Sequence, residues 1–290
     1  MNEVRLSSPG DIRQLKALWK ACFGDSDRYI DFFYNNRYKP EESVVLLEGN
    51  AIATMLVLLP MSIRFSEGQS FSAGYLYAFA THLKFRGRGY GPNILQFVDT
   101  HLIKLGVDST ITVPATGMFD YFAKVGFIEC FYIREAMIDS QAVPLSETEG
   151  KIQVSAPDTY NAVRNEFLKG SLHVRYDNEA IDYQKKLSMQ AGADIYHLHI
   201  GDVTGCAAAE VSDTGVVFIK ELLLPDKYLT TGLSLLAGLL PAKQYIVRTP
   251  AFIGAVLGGE VRPYGMIKYY KTPKMKVPGN RLGYLAFAYD

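Results

Sequence analysis

The chain has 290 residues, 48% hydrophobic and 21% charged. That is the balance of a globular protein large enough to bury a core without a metal or disulfide staple. Lys+Arg and Asp+Glu both number 30, so the formal net charge is zero, which argues against bulk nucleic-acid binding, where a net basic face must neutralise phosphates. The three cysteines, Cys22, Cys130 and Cys206, are far apart and form no CxxC pair, which argues against a zinc ribbon and fits a reducing compartment.

The first eleven residues are polar, without the apolar stretch of a signal peptide. The most apolar early run, Ala51 to Ile63, is too short to span a bilayer and carries Thr54, Pro60 and Ser62. The expectation is a cytoplasmic protein with no membrane partner. A short alternating strand at Val4 and Leu6 precedes a helix opened by Ser8-Pro9, with Ile12, Leu15, Leu18, Trp19 and Cys22 at helical spacing and Gly24 as its stop. A second helix from Asp27 to Tyr38 carries Tyr29, Ile30, Phe32, Phe33 and Tyr34. These aromatics exceed one buried stripe and are either core or the lining of a substrate groove. Strands follow at Ser43 to Leu47 and Ala51 to Leu59 around the Gly49-Asn50 turn, and then a long one at Ser72 to Thr81. A glycine-rich run leads into a helix from Pro92 to Leu105, whose apolar stripe is Ile94, Leu95, Val98, Leu102 and Leu105. A strand at Ser109 to Val113, a short helix at Gly117 to Lys124 and a strand at Ile128 to Ile138 complete the first half.

Residues 139–151 are polar with Pro and Gly and read as a linker between domains 1–140 and 151–290. The second half repeats the order of elements with other residues. Helices are expected at Ala156 to Lys169 and Asn178 to Ala191, and strands at Asp194 to Ile200, Thr204 to Val211 and Val216 to Leu224. A helix at Tyr228 to Leu240, strands at Tyr245 to Thr249 and Tyr264 to Tyr270, and a terminal hairpin at Gly279 to Asp290 finish the chain. The fold class is therefore α/β, with two domains, each a twisted mixed β-sheet flanked by helices.

The chemistry is concentrated in Arg86-Gly87-Arg88-Gly89-Tyr90-Gly91, between a strand and a helix. In such a turn, backbone N–H groups converge on a diphosphate and the helix N-terminus adds partial positive charge. Glycine lets the anion approach and tolerates positive φ. The run is not a GxGxxG in the dinucleotide register, and no GK[ST] follows. Lys84, Arg86 and Arg88 supply cations for phosphates.

Ala80 to Gly91 (ATHLKFRGRGYG) resembles motif A of the GNAT superfamily of N-acetyltransferases, with Arg86, Gly89 and Gly91 at the matching positions. The following helix, the strand at Ile111 and the AKVGF segment, Ala123 to Phe127, fall in family order. The likeness covers Asn2 to Ser140; over Ile152 to Tyr270 it is one of topology, since no RxxGxG stands between Leu224 and Tyr228. The whole resembles a tandem GNAT chain with one intact and one degenerate acyl-CoA site. It is similar to the N-terminal part of the enhanced-intracellular-survival type of acetyltransferase, without that family's extra C-terminal domain.

The resemblance implies acetyl-CoA as cosubstrate, no metal, and a small-molecule or peptide amine as acceptor. It places the pantetheine arm along the backbone of Phe79, Ala80 and Thr81, with an N–H there polarising the thioester carbonyl. It places the diphosphate on the amides of Gly87, Arg88, Gly89, Tyr90 and Gly91. Two positions depart from the pattern. Pro92 removes one N–H at the helix start, which helix starts tolerate. The tyrosine that protonates the leaving thiolate stands in the family four residues before the Gly of GF. Here that position is Phe122, and Tyr121 is next to it, about 100° away around the helix. The proton of the attacking amine has candidate acceptors in Asp120, Glu129, His82 and the C-terminal carboxylate of Asp290. His197 and His199 share one face of a strand with no third ligand at a useful spacing. Beside N-acetyl transfer, two readings stay open: a non-enzymatic acyl-CoA sensor, and transfer from an aminoacyl donor carried on tRNA.

Overall fold

The computed structural model describes residues 2–65, 69–143, 149–271 and 282–287. In chain order it contains β1 (Asn2–Leu6), α1 (Ile12–Phe23), α2 (Asp27–Asn36), β2 (Ser43–Glu48), β3 (Ala51–Arg64), β4 (Ser70–Thr81), α3 (Tyr90–Lys104), β5 (Ser109–Thr112), α4 (Phe119–Lys124) and β6 (Ile128–Asp139). There follow β7 (Gly150–Val154), α5 (Pro157–Phe167), β8 (His173–Arg175), α6 (Asn178–Gln190), β9 (Ile195–Ile200), β10 (Val203–Val211), β11 (Val217–Leu223), α7 (Asp226–Leu239), β12 (Gln244–Pro250) and β13 (Glu260–Tyr269). This is a mixed α/β fold. Local signals explain many of the boundaries: Gly24 caps α1 in the left-handed conformation, and the Ser26 hydroxyl accepts from the Tyr29 amide at the start of α2.

Among the described residues, 2–61, 71–128 and 266–271 form one compact unit and the remainder a second. In the first unit the sheet order is β1-β2-β3-β4-β5, and the end of β13 lies beside β5. β4 and β5 run parallel, whereas β1–β2, β2–β3 and β5–β13 are antiparallel. Its core joins Val44, Leu46, Leu56 and Leu76 of the sheet to Ile94, Leu95, Val98 and Leu102 of α3, with Phe122 and Phe127. Each such side chain contributes about 1.5–3 kcal/mol by burial. Leu105, expected on the same stripe, falls just past the end of α3 and is 65% exposed.

In the second unit the order is β7-β9-β10-β11-β12-β6, with β11–β12 parallel and the other pairs antiparallel. The two units thus share one plan, an antiparallel meander followed by one parallel strand. In each, the strand after the parallel one comes from the other half of the chain: β13 beside β5, and β6 beside β12. The linker reading gives way at its end to β7, and β8 was not foreseen. The terminal hairpin was placed partly on residues outside the described ones. Within 282–287, Gly283 and Tyr284 make parallel bridges to Phe131 and His173. These described residues have partners far back in the chain; the rest of the expected hairpin lies outside the described residues.

Candidate functional site

The parallel pairing of β4 with β5 ends at Leu76 and Thr112, where β5 itself stops, while β4 continues to Thr81. Residues 77–81 therefore present one backbone edge that β5 does not cover. Ala78 lies at φ 49, a left-handed value seldom adopted by alanine. An irregularity there breaks the two-residue alternation. Tyr77 meets Trp19, Phe33 and Tyr75, whereas Phe79 packs against Tyr121 and Phe122. Ala80 is buried, and the Thr81 hydroxyl lies 3.0 Å from that of Thr54. The aromatics of α2 divide. Ile30, Phe33 and Tyr34 are core, and Tyr29, half-buried, shares a 2.8 Å hydroxyl contact with Tyr77.

After a single helical turn at Leu83–Phe85, the chain passes through Gly87 at φ 76 and Gly89 at φ 77. A Cβ built on either glycine meets nothing within 4 Å, so this face of the turn is open. Gly89 is the residue before α3; the Arg88 amide closes the turn at Arg86 and Gly87, and the amides of Gly87, Gly89, Tyr90 and Gly91 make no backbone hydrogen bond among the described residues. The first amides of any helix lack an intrahelical partner. Pro92 falls in that turn, so its missing N–H costs α3 no bond. Amides without a backbone partner at a helix start are donors that could hold an anion such as a diphosphate.

The side chains of the turn have partners within the protein. Arg86 Nε donates to the Thr81 carbonyl at 3.1 Å, and Cys22 Sγ approaches the same oxygen at 3.5 Å. Burial pushes the Cys22 thiol up, with Arg86 opposing. Arg88 Nη1 donates to both Glu48 oxygens at 2.8 and 2.9 Å, and Nη2 donates to the Lys84 carbonyl at 3.2 Å. The buried Tyr90 also donates its hydroxyl to Glu48. The Tyr90 and Arg88 bonds hold the Glu48 carboxyl below its ordinary range. Glu48, at the end of β2, was missed in the sequence, where nothing links it to a turn 40 residues on.

Gly91 has a different reason for being glycine. A Cβ there would fall 2.6 Å from Tyr121 Oη and 3.5 Å from Phe79 Cζ. Tyr121 therefore stands at the start of α3, beside the uncovered end of β4, and burial alone raises its hydroxyl above the ordinary tyrosine value. Phe122 is core. Asp120 is exposed in the first turn of α4. Glu129 is exposed and accepts from the Tyr132 hydroxyl at 3.0 Å, and His82 Nδ1 accepts from the Lys84 amide at 3.2 Å. Asp290 lies outside the described residues. His197 and His199 do share a face, ring centroids 5.2 Å apart, and they pair with Gln153 and Thr204. Among the described residues no group of three or more His, Cys, Asp or Glu could hold a metal ion, and no helix is long and apolar enough to cross a membrane.

In the second unit, the pairing of β11 with β12 likewise ends early, at Ile219 and Val247, while β11 runs on to Leu223. The turn into α7 is Leu224-Pro225-Asp226, without glycine, and Asp226 Oδ1 accepts the Gly254 amide at 2.7 Å.

Residues 3–127 match the family model of the acetyltransferase (GNAT) domain. No protein of curated function matches the sequence. Among solved structures, a GCN5-related N-acetyltransferase from Anabaena variabilis is similar at TM-score 0.72 and 13% identity, over 92% of this chain and 72% of that one. A protein from Enterococcus faecalis described as a probable N-acyltransferase is similar at TM-score 0.69 and 15% identity, over 93% and 72%. Eis1 from Mycobacterium abscessus is similar at TM-score 0.67 and 9% identity, over 92% and 73%. At these identities the likeness establishes the fold.

Proposed function

We propose that the chain is an N-acetyltransferase that moves the acetyl group of acetyl-CoA to a primary amine of a small molecule or peptide. The observation that carries this reading is the open turn at Gly87 and Gly89, with its row of amides at the start of α3, beside the uncovered edge of β4. The domain match over residues 3–127 supports it independently. Acetyl-CoA supplies an acyl group already activated as a thioester.

In this reading the amides of Gly87, Arg88, Gly89, Tyr90 and Gly91 hold the diphosphate. Arg86 holds the end of β4 to the turn through the Thr81 carbonyl. The backbone of Phe79, Ala80 and Thr81 lines the pantetheine arm, and an N–H of that stretch orients the carbonyl under attack. Tyr121, kept protonated by burial, donates a proton to the departing thiolate. An amine of pKa about 10.4 is overwhelmingly protonated at pH 7, so it must lose a proton before it attacks. Asp120 and the Asp290 carboxylate are the acceptors assigned here, and separate substitutions distinguish them. The second unit, with Leu224-Pro225-Asp226 in place of a glycine-rich turn, is assigned as a degenerate copy with no acyl-CoA site.

Titration of CoA against the wild type and Gly89→Glu tests the assignment. The substitution sets bulk, a negative charge and a disfavoured φ into the cradle. CoA binding is expected to vanish while the circular dichroism spectrum stays native. Unchanged affinity contradicts the site. Tight CoA binding in the wild type, with no thiol released against a panel of amines, would favour the sensor reading.

A further inference from the structure

We infer that Glu48 is a positioning residue for the diphosphate turn: its carboxylate, fixed on the end of β2, holds Arg88 and Tyr90 and so orders the amides that lie between and beside them. The inference rests on the proposed CoA site and adds to it a residue outside the glycine-rich run.

Residues 86–89 are all exposed, and the two glycines have no side chain with which to pack. Glycine also loses more conformational freedom on being fixed than any other residue. Apolar burial anchors Tyr90 but cannot set the geometry of residues 86–89, where polar ties must. Two of them are short-range: Arg86 Nε to the Thr81 carbonyl and Arg88 Nη2 to the Lys84 carbonyl. Both bind the segment to itself. Glu48 is different, since it belongs to another strand and receives two groups of the turn at once.

Arg88 Nη1 lies 2.8 and 2.9 Å from its oxygens, and the Tyr90 hydroxyl donates to Oε2. Tyr90 is 6% exposed and packs with the α3 stripe, while the Arg88 guanidinium lies 5.4 Å from the Phe85 ring centroid. Arg88 and Tyr90 flank Gly89, the left-handed residue from which α3 starts. Fixing both neighbours of Gly89 to one carboxylate fixes the direction of the amides at the helix start. Arg88 is thereby committed to Glu48, which leaves the amides as the principal phosphate donors. A site ordered before binding has less entropy to lose when its ligand arrives.

The test is Glu48→Ala, with Glu48→Gln as the variant that keeps an acceptor oxygen and loses the charge. Two quantities are read on the full-length protein: NMR order parameters of the backbone amides of residues 86–91 without ligand, and acetyl-CoA kinetics. In Glu48→Ala, the order parameters of that segment alone are expected to fall from the rigid-backbone range to below about 0.6, and KM for acetyl-CoA to rise about tenfold. kcat and KM for the amine are expected to stay unchanged, and Glu48→Gln to fall between. Unaltered order parameters and KM would show Glu48 to be a bystander. A lowered KM would show that the freed charge of Arg88 outweighs order in the turn. Either result overturns the inference. If the wild type binds no CoA, the proposed function fails and the order parameters alone still decide whether Glu48 orders the turn.

Discussion

Tyr121 stands one residue away from the position at which the GNAT likeness places a proton donor, yet its hydroxyl reaches the start of α3, where only Gly91 makes room for it. In the sequence the two explanations of Gly91, phosphate approach and tyrosine clearance, are indistinguishable; the 2.6 Å distance to a built Cβ favours the second. Because burial raises the Tyr121 hydroxyl, it remains protonated beyond the pH at which an ordinary tyrosine ionises, near 10. Tyr121→Phe should lower kcat about a hundredfold or more, with a smaller rise in KM for acetyl-CoA because the hydroxyl abuts Gly91 of the proposed diphosphate turn. In the wild type the loss of activity on the alkaline side that this group causes should lie above pH ~10, since a raised value keeps the proton in place as pH rises. A kcat indifferent to the substitution would remove Tyr121 from the chemistry. Ala78 illustrates the opposite limit of sequence reading. Alanine carries no signal for positive φ, so the irregularity that turns Phe79 toward Tyr121 is not legible until the backbone is seen.

The elements of the first unit were largely legible because their signals are local. Gly24 stops α1, Gly49-Asn50 joins β2 to β3, and the stripe Ile94, Leu95, Val98 and Leu102 marks the buried face of α3. What escaped is long-range. β8, only His173–Arg175, is too short to show a period and exists because Ser62–Arg64 pairs with it. β13 reads as one strand, but its end, Met266–Tyr269, pairs with β5 in the first unit. Lys268 Nζ and the Tyr270 hydroxyl then bond Asp99 of α3 at 2.6 and 2.7 Å. Asp99, which falls off the apolar stripe, has its partners 169 and 171 residues away. A chain cut to residues 1–140 lacks these partners and leaves β5 with an unpaired edge, a known route to aggregation. That fragment should show no cooperative thermal transition by circular dichroism, whereas the full chain should. A cooperative transition in the fragment would mean that β13 is dispensable to the first unit.

At the scale of the whole chain, each compact unit holds one parallel strand pair, and the strand beyond that pair is drawn from the other half of the chain. The exchange is not visible in the sequence, because it changes which strands pair and leaves the order of elements intact. The units differ at the turn that follows the strand entering the parallel pair. One has Arg86 to Gly91, with open left-handed glycines; the other has Leu224-Pro225-Asp226, whose carboxylate accepts an amide of its own unit. A carboxylate there disfavours a phosphate by like charge and by claiming a donor. One CoA per chain is therefore expected, at the first turn. The structure of the full-length protein saturated with CoA tests this most directly. The predicted result is a single CoA, its diphosphate oxygens about 3 Å from the amides of Gly87 to Gly91 and its arm along Phe79 to Thr81. A diphosphate bound anywhere else, with that turn left bare, would contradict the account.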